Sequence, residues 1–550
     1  MYRLELKLWL AVFCCAVAPN FLVADLRATD RPNVIVFLVD DMGYGDSRIY
    51  NSESKVPMPH LEEMAKNGMV FSDAHAPAAV CAPSRYSILT GNYPWRGRNE
   101  NGTWLFHQRS QILTGQKTLG HLMQNAGYRT AFIGKVHLGG TVFSKKTGKP
   151  IGWKFDFQDI DFDRQIDESP ASQGFDYAYE YPQGIQGPPY IAFENGRLVG
   201  GVNELKVWQE GTYGNSIIPK TGFGSSDWDS SLAGPTLTRQ ALKFIDQHMK
   251  ENQNSGVRTP FFMHYCSQSC HVPHSPPQEL AGTPVKGMGS DAHLDMLIEV
   301  DITLGEIVKR LKQSGELADT LFLFTSDNGG LARKRATGNV LGGHDSCANL
   351  RGSKAQIYEG GHRIPLVARW GDGTPEGSVV PSNSRSDALI GLQDIYATLS
   401  ELTKQPMAIE QGLDSVSFFK TLTGDVENRP RNSLMVQANN GPGPGQRLKK
   451  MVRQGNWKLI TTREGDPKEL YNLHTDLSEE NNLIADPNQQ QRIADMRMEW
   501  MRIRQSERST PVLTIDEIRR PTQEQGHIKL TDLFESQKTL SAKKPRRRQG

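Results

Sequence analysis

The sequence predicts an α/β fold: a large mixed, mostly parallel sheet flanked by helices, followed by a smaller C-terminal α+β subdomain. Two observations predict it. Apolar runs alternate with helix-like segments over most of the chain, and after Pro430 short strand-like runs broken by turns replace that alternation. Strands that alternate with helices form parallel sheets covered on both faces. At 550 residues the chain also exceeds a single simple core, so a large domain and a smaller one are expected.

Four apolar runs are the predicted strands, and polar side chains follow each of them. The first run, residues 33–39, is continuously apolar, which is typical of a strand buried on both faces. In chain order, the side chains that follow the runs are Asp40 and Asp41, then Lys135 and His137, then His271, and finally Asp327 and Asn328. Because ligands of such sheets bind beyond the carboxyl ends of the strands, the four runs together predict one site.

Helix-like segments lie between these runs. One begins at Pro59, and another is capped by Thr118. A long segment, residues 291–313, has apolar side chains at helical spacing and is followed by Gly315. Beyond the short strands of the C-terminal region, residues 488–504 form the last helical pattern.

The stretch CAPSRYSILTG, residues 81–91, predicts a helix whose start receives an anion. Pro83 suits the first turn because its missing N–H is not needed there, and Gly91 suits the end. The N–H groups at a helix start attract negative charge, and Arg85 adds a fixed cation. The alternative for Cys81 is a buried structural cysteine before an ordinary helix.

The residue types at the predicted site indicate a hard cation and a bound oxyanion. The side chains that offer only oxygen are Asp40, Asp41, Asp327 and Asn328. This donor set favours calcium, with magnesium as the second choice, and acids that merely cap strand ends are the alternative. The nitrogen donors are Arg85, Lys135, His137, His271 and Lys354. Gathered around a cation they would hold a tetrahedral oxyanion, which indicates an ester of sulfate or phosphate.

Composition and charge exclude several classes of partner. Lysine and arginine (63) nearly balance aspartate and glutamate (61), so no global field favours nucleic acid or an acidic membrane surface.

Residues 1–24 have the pattern of a secretory signal peptide, with an N-terminal anchor as the alternative. No later segment is long and apolar enough for stable membrane insertion, so an exported protein, periplasmic or secreted, is expected. The four cysteines beyond the signal are too few for a disulfide framework, which leaves one disulfide or buried thiols.

Seven short stretches occur in the order typical of one protein family. They are DDMGYGD (40–46), CAPSR (81–85), GKVHLG (134–139), TSDNGG (325–330), LRGSKAQIYEGGHRIP (350–365), LDSVS (413–417) and ELYNLHTDLSEENNL (469–483). From about Arg31 to about Leu483 the chain resembles the type I, formylglycine-dependent sulfatases of the alkaline-phosphatase-like superfamily. Two residues depart from the family's pattern: Val136 stands where tryptophan is usual, and His362 stands where valine is common. These departures bear on the shape of the pocket more than on catalysis.

The resemblance implies a function for each candidate residue. Cys81 would be oxidised to formylglycine, whose hydrate is the nucleophile, by a formylglycine-generating enzyme that reads Pro83 and Arg85. Arg85 would also steady the hydrate. The other implied roles are calcium ligands at Asp40, Asp41, Asp327, Asn328 and residue 81, a base at His137 with Lys135 beside it, an acid at His271, and a sulfate contact at Lys354. His274 is the weaker candidate for the acid.

The resemblance also implies the domain organisation and the substrate class. The predicted parts are the signal peptide (1–24), a catalytic domain (31–430), a C-terminal subdomain with an antiparallel sheet and a helix (431–510), and a polar, basic tail (511–550). The substrate would be a sulfated small molecule or saccharide. Residues 141–230 match no family motif, and their many aromatic side chains either stack on sugar rings or pack a loop scaffold.

Two alternatives to a sulfatase remain at this stage. The first is an enzyme of the same superfamily that cleaves phosphate or phosphonate monoesters, because tetrahedral oxyanion sites overlap in geometry. The second is a non-catalytic protein that binds sulfated glycans and whose Cys81 is never oxidised.

Overall fold

The computed structural model describes residues 31–100, 105–152, 156–331, 334–335, 338–339, 343–439 and 448–511. The predicted signal peptide and the basic tail beyond residue 511 lie outside these ranges. Within them, no helix combines the length and the apolar character that crossing a membrane requires.

A ten-stranded mixed sheet forms the centre of the molecule. Its strands are β1 (Asn33–Val39), β2 (Met69–Phe71), β3 (Arg129–Lys135), β4 (Tyr177–Tyr181), β5 (Phe193–Glu194), β6 (Arg197–Leu198), β7 (Phe261–Cys266), β8 (Thr320–Ser326), β9 (Leu366–Arg369) and β10 (Ser384–Ser386). They lie in the order β10-β2-β9-β8-β1-β7-β3-β4-β5-β6. Five neighbouring strands, β8, β1, β7, β3 and β4, are parallel to one another, whereas β9 runs antiparallel to β8. The four predicted strands are β1, β3, β7 and β8, and the mostly parallel sheet is confirmed.

Helices cover both faces of this sheet. In chain order, the helices of the described residues are α1 (Pro59–Lys66), α2 (Cys81–Thr90), α3 (Leu119–Asn125), α4 (Ala233–Ser255), α5 (Ala292–Gln313), α6 (Glu359–His362), α7 (Asp394–Thr403), α8 (Phe419–Leu422) and α9 (Gln490–Gln505), the last of which packs on the C-terminal sheet instead. Thr118 caps α3 by accepting a hydrogen bond from the His121 N–H, and α2 ends at Gly91, whose φ of 69° suits glycine. The predicted starts at Pro59 and Asp291 agree with α1 and α5.

Alternate side chains of β1 belong to two different hydrophobic cores. Val34 and Val36 pack with residues of α2, α3 and α7 on one face, and Ile35 and Phe37 pack with residues of α1, α4 and α5 on the other. All four are completely buried. This double burial is why the strand is continuously apolar in sequence.

A smaller antiparallel sheet follows the central one, as the sequence predicts. Its strands are β11 (Ser433–Asn439), β12 (Leu448–Gln454), β13 (Trp457–Thr461) and β14 (Pro467–Asn472). Helix α9 packs on this sheet through Ile493, Met496 and Trp500. The predicted domain boundary at residue 430 stays a prediction.

Most of the described aromatic side chains of residues 141–230 pack into the protein, with Tyr213, at 41% exposed, as an exception. Tyr190 is completely buried, and Trp208 is 8% exposed with Lys206 Nζ 3.6 Å from its ring centroid. Tyr181 and Trp228 meet edge to face, with ring centroids 5.4 Å apart. The structure therefore favours the packed scaffold over sugar stacking for these side chains, whereas Trp153 and Phe155 lie outside the described residues.

The cysteines of the described ranges are buried thiols. They are Cys81, Cys266, Cys270 and Cys347, and within those ranges no disulfide joins them.

Candidate active site at the edge of the central sheet

Four adjacent strand ends bring most of the predicted residues together. Strands β8, β1, β7 and β3 are neighbours and run parallel, so the segments that follow them leave from the same edge of the sheet. The polar side chains at or after these ends are, in sheet order, Asp327 and Asn328, Asp40 and Asp41, His271, and Lys135 with His137.

Helix α2 adds Cys81 and Arg85 to this edge. Every residue of the helix is buried; Cys81 is its first residue and is only 3% exposed. Arg85 Nη1 donates a hydrogen bond of 2.8 Å to the carbonyl oxygen of Lys135, which joins the helix to the end of β3. The first turn of α2 therefore lies inside the protein, against the strand ends.

The carboxylates of Asp40, Asp41 and Asp327 form an oxygen cluster. One oxygen atom of each lies within 4.8 Å of the other two. Asp40 Oδ1 and Asn328 Oδ1 are buried without a hydrogen-bond partner among the described residues. Buried acceptors without a donor are costly, and a cation would satisfy both. The all-oxygen donor set fits a hard cation such as calcium.

Two buried, positively charged side chains form ion pairs with Asp40 and Asp327. Lys135 Nζ lies 2.5 Å from Asp40 Oδ2, and Arg85 Nη2 lies 2.8 Å from Asp327 Oδ2 and 3.5 Å from Asp40 Oδ2. Burial acts to raise the pKa of Asp40, but the neighbouring positive charges, above all that of Lys135, hold it far below its ordinary value. Burial and then the charge of Asp40 raise the pKa of Asp327 to about 7. A bound cation would favour the ionised form of both carboxylates.

Asp41 lies beside a third cation. Lys354 Nζ is 2.6 Å from Asp41 Oδ1, and Asn328 Nδ2 donates a hydrogen bond of 2.9 Å to the same oxygen. Burial acts to raise the pKa of Asp41, but the charge of Lys354 outweighs it and lowers this pKa. Asp41 also has a φ of 65°, a left-handed conformation that costs a non-glycine residue about 1 kcal/mol or more. Such strain is typical of functional sites.

Cys81 lies next to His137 and to the oxygen cluster. Its Sγ is 3.2 Å from His137 Nδ1, and the ligand atoms of Asp40, Cys81 and His271 all lie within 4.8 Å of one another. Burial raises the pKa of the Cys81 thiol, which keeps it protonated. A protonated thiol is a poor nucleophile, so the position of this residue is suited to catalysis but its unmodified chemistry is not.

The structure places His271, and not His274, at the oxygen cluster. His271 Nδ1 donates a hydrogen bond of 2.6 Å to the carbonyl oxygen of Val272, and its Nε2 lies 3.7 Å from Asp41 Oδ2. Burial, with the charges of Lys354 and then Lys135, lowers the pKa of His271 to about 4. The ring of His274 lies 5.1 Å from that of His293 instead.

Gln186 is a residue of this site that the sequence did not predict. Its Oε1 accepts a hydrogen bond of 2.7 Å from Lys135 Nζ, and its Nε2 lies 3.3 Å from His137 Nε2. Gln186 follows β4 in a stretch without a family motif, so no sequence signal marked it. Of the two departures from the family pattern, Val136 packs in the hydrophobic core and His362 lies in a separate buried network.

Comparisons with known proteins agree with this geometry. A family model described as Sulfatase matches residues 32–405. An N-acetylgalactosamine-6-O-sulfatase from Bacteroides thetaiotaomicron is 30% identical over 504 residues, which cover 83% of this chain and 90% of that protein. Human arylsulfatase A is 26% identical over 419 residues, which cover 75% of this chain and 72% of that protein.

Solved structures share the architecture. A sulfatase structure from Bacteroides thetaiotaomicron, described with the metabolism of multiple glycosaminoglycans, has a TM-score of 0.71 and 27% identity, and the match covers 87% of this chain and 100% of that one. A phosphonate monoester hydrolase of Agrobacterium radiobacter, at 16% identity and a TM-score of 0.56 over 87% of this chain and 96% of that one, shares the fold alone. The alkaline-phosphatase-like fold is thus common to enzymes of different specificity. With the family model matching most of its length, this chain belongs to the sulfatases, enzymes that hydrolyse sulfate esters.

Proposed function

We propose that this sulfatase cleaves sulfate esters of saccharides, and also aryl sulfates, at a centre built on residue 81 and a calcium ion. The observation that carries the proposal is the position of Cys81. Its sulfur lies 3.2 Å from a histidine nitrogen and its ligand atom lies within 4.8 Å of those of Asp40 and His271, at a helix start that is buried among cations.

Oxidation of Cys81 to formylglycine would supply the nucleophile. The CAPSR sequence supports this, and so does the raised pKa of the thiol, which makes the unmodified side chain a weak nucleophile. When formed, the aldehyde hydrate offers two hydroxyls on one carbon, one to attack sulfur and one to let sulfate leave. Arg85 would steady residue 81 through its place in the first turn of α2. A formylglycine-generating enzyme is then a required maturation partner.

A calcium ion, when bound, would neutralise charge on the sulfate oxygens and on the attacking hydroxyl. The residues that would hold it are Asp40, Asp41, Asp327, Asn328 and residue 81. The ammonium groups of Lys135 and Lys354 lie against two of these carboxylates and would add positive charge for the sulfate oxygens. Magnesium is the second choice, because the same oxygen donors accept it.

Two histidines would handle the protons. His271 has its Nδ1–H bound to a backbone carbonyl, so it would act as the acid in its imidazolium form, whose Nε2–H would give its proton to the oxygen of the leaving alcohol; the neighbouring carboxylates of Asp41 and Asp40 favour that charged form. His137, adjacent to residue 81, would exchange a proton with its hydroxyl group. Position supports both assignments, because His137 Nδ1 lies 3.2 Å from the sulfur of Cys81 and His271 Nε2 lies 3.7 Å from Asp41 Oδ2 in the oxygen cluster.

A sulfated carbohydrate is the proposed substrate. A relative at 30% identity is named an N-acetylgalactosamine-6-O-sulfatase, and the structure with a TM-score of 0.71 concerns glycosaminoglycans. We also propose that the protein is exported, on the basis of the signal pattern in residues 1–24.

One experiment with two readouts tests the proposal. Mass spectrometry of the peptide that contains residue 81 should find formylglycine, and the purified protein should release sulfate from 6-sulfated N-acetylgalactosamine and from an aryl sulfate. The corresponding aryl phosphate is the control and should be turned over much more slowly. Faster turnover of the phosphate would identify a phosphomonoesterase, whereas an unmodified cysteine with no turnover would indicate a glycan-binding protein.

A further inference from the structure

A groove lies at the edge of the central sheet opposite to the oxygen cluster. Its walls come from α1, from the last turns of α5, from the segment before β8 and from the end of β9, and we call it the α1–α5 groove. Its volume is about 410 Å³, which is in the range of small-molecule sites. Arg369 of β9 pairs with Phe322 of β8, five residues before Asp327, so about 17 Å of strand separates this groove from the oxygen cluster.

Arg369 lines this groove without a partner. The residue is only 8% exposed, and its Nε is buried with no hydrogen-bond partner among the described residues. Two carboxylates act on its charge, but other groups already hold them. Glu63 Oε1 accepts a hydrogen bond of 2.6 Å from Asn67 Nδ2, and Asp372 Oδ1 accepts one of 2.8 Å from the Thr374 N–H.

The other buried arginines of the described residues all form ion pairs. Arg85 pairs with Asp327, Arg363 with Glu359, Arg431 with Asp394, and Arg453 with Asp73. Arg369 forms none within the same ranges, and its burial lowers its pKa because the charges of Asp372 and Glu63 only partly offset the loss of water. A buried charge without a partner is costly, so a bound anion would stabilise this guanidinium.

The rest of the groove combines one more cation with apolar walls. Lys312 is exposed near the end of α5, and Met64, Val308 and Leu317 supply apolar surface. We propose that the α1–α5 groove binds a small organic oxyanion, whose carboxylate or sulfate group forms a bidentate ion pair with the Arg369 guanidinium while its apolar part contacts these walls. This site is additional to the proposed active site and does not depend on its chemistry.

Thermal unfolding of the full-length, metal-loaded protein tests the proposal. The probes are glucuronate, which carries a carboxylate, inorganic sulfate, and glucose as the uncharged counterpart of glucuronate, all at equal ionic strength in a chloride buffer. A ligand that binds only the folded state raises the unfolding midpoint. At least one of the two anions should raise the midpoint of the wild type by at least about 1 °C more than that of Arg369→Met. Any binding at the active site is common to both proteins and cancels in this difference.

Three variants make the comparison specific. Arg369→Met should not lower the midpoint in the absence of anion, because it removes an unpaired buried charge. Arg369→Lys keeps the charge but not the planar fork, and it should show less than half of the extra shift of the wild type. The matched control is Lys309→Met, which changes an exposed lysine of the same helix that pairs with Glu306, and it should respond to the anions as the wild type does.

The outcomes separate this site from the proposed function. Shifts with both anions that are equal in the wild type, Arg369→Met and Arg369→Lys would overturn the proposal, as would a wild-type response to glucose as large as that to glucuronate. An Arg369-dependent response to glucuronate alone would identify a carboxylate ligand, and one to sulfate alone a sulfate ligand. Arg369→Met should keep kcat for an aryl sulfate within about twofold of the wild type. Loss of the sulfatase mechanism would leave the binding result intact, because the midpoint does not depend on turnover.

Discussion

Two buried clusters of this protein contain similar side chains but differ in how those side chains are paired. The first is the oxygen cluster at the sheet edge, formed by Asp40, Asp41 and Asp327. The second, which we call the interdomain network, consists of Asp73, His75, Glu359, His362, Arg363, Arg453 and Lys458. Both contain three potential metal ligands whose ligand atoms lie within 4.8 Å of one another; in the second cluster these are His75, Glu359 and His362.

The carboxylate oxygens of the interdomain network are paired. Glu359 Oε1 lies 3.0 Å from Lys458 Nζ, and Glu359 Oε2 lies 2.9 Å from Arg363 Nε. Lys458 Nζ is also 3.1 Å from His362 Nε2. A metal ion would have to displace these cations, so the network is better explained as a contact that fastens β13 of the C-terminal sheet to α6.

The oxygen cluster is incompletely paired by comparison. Asp40 Oδ1 and Asn328 Oδ1 are buried acceptors without a partner in the part of the chain that the structure describes. The comparison therefore teaches that proximity of ligand types does not distinguish a metal site from an ion-pair network. Unsatisfied acceptor atoms add the distinguishing observation when they lie beside such a cluster, since single ones also occur elsewhere among the described residues, for example at Glu180 Oε1 and Gln393 Oε1.

The largest expected effect is the loss of turnover when residue 81 is changed. Cys81→Ala should reduce the sulfatase rate by at least about 10³-fold, because it removes the nucleophile while its small side chain fits the buried helix start. Sulfate release would be measured along with the thermal unfolding midpoint, which should change little. Cys81→Ser is the matched control and should also be nearly inactive where the modifying enzyme acts only on cysteine. Substantial activity in Cys81→Ala would end the formylglycine mechanism.

Removal of the metal should have the next largest effect. Chelation should lower the rate by about 100-fold or more, and calcium should restore it better than zinc, because Asp40, Asp41, Asp327 and Asn328 all offer oxygen, as would the hydrate at residue 81. Asp327→Ala should mimic chelation and reduce the bound calcium measured by elemental analysis. His362→Gln, in the interdomain network, is the control and should leave the metal content unchanged. An enzyme that stays fully active after verified metal removal would contradict the proposed calcium site.

The sequence predicted four strands of the ten-stranded sheet and most of the side chains that meet at their ends, but not the contacts between distant segments. The strand ends predicted that Asp40, Lys135 and Asp327 would meet, since parallel strands deliver their carboxyl ends to one edge. Gln186 and the interdomain network were not predicted. Gln186 lies outside every motif. Glu359, His362 and Arg363 do lie in the stretch 350–365, but nothing in the sequence pairs them with Lys458, which is 99 residues from Glu359.

The acid catalyst should show a smaller and selective effect. His271→Ala should slow alkyl or sugar sulfates by about 10²- to 10⁴-fold, because a basic alkoxide needs a proton to leave. An activated aryl sulfate should lose much less, since a nitrophenolate leaves without that proton. His274→Ala is the matched control and should affect neither substrate class. Equal losses for both substrates in His271→Ala would instead mark this residue as a sulfate-binding group.

Substitutions in the interdomain network should have the smallest effect on activity and should instead lower the stability of the fold. Lys458→Met deletes a completely buried cation and leaves Glu359 and Glu479 without it, which should cost about 3–5 kcal/mol of the free energy of unfolding. Lys354→Met, the matched change at the oxygen cluster, should instead lower the rate with a smaller loss of stability.

The pH dependence of unfolding sharpens this last contrast. Burial acts to raise the pKa of Glu359, but the charges of Lys458 and Arg363 hold it well below its ordinary value of 4.5. A depressed pKa contributes stability above the unfolded-state value and loses it as the pH falls. The difference between wild type and Lys458→Met, measured by chemical denaturation, should therefore be full above about pH 5 and shrink below it. A Lys458→Met enzyme that keeps its stability but loses its activity would place Lys458 in the catalytic centre and refute the division between the two clusters.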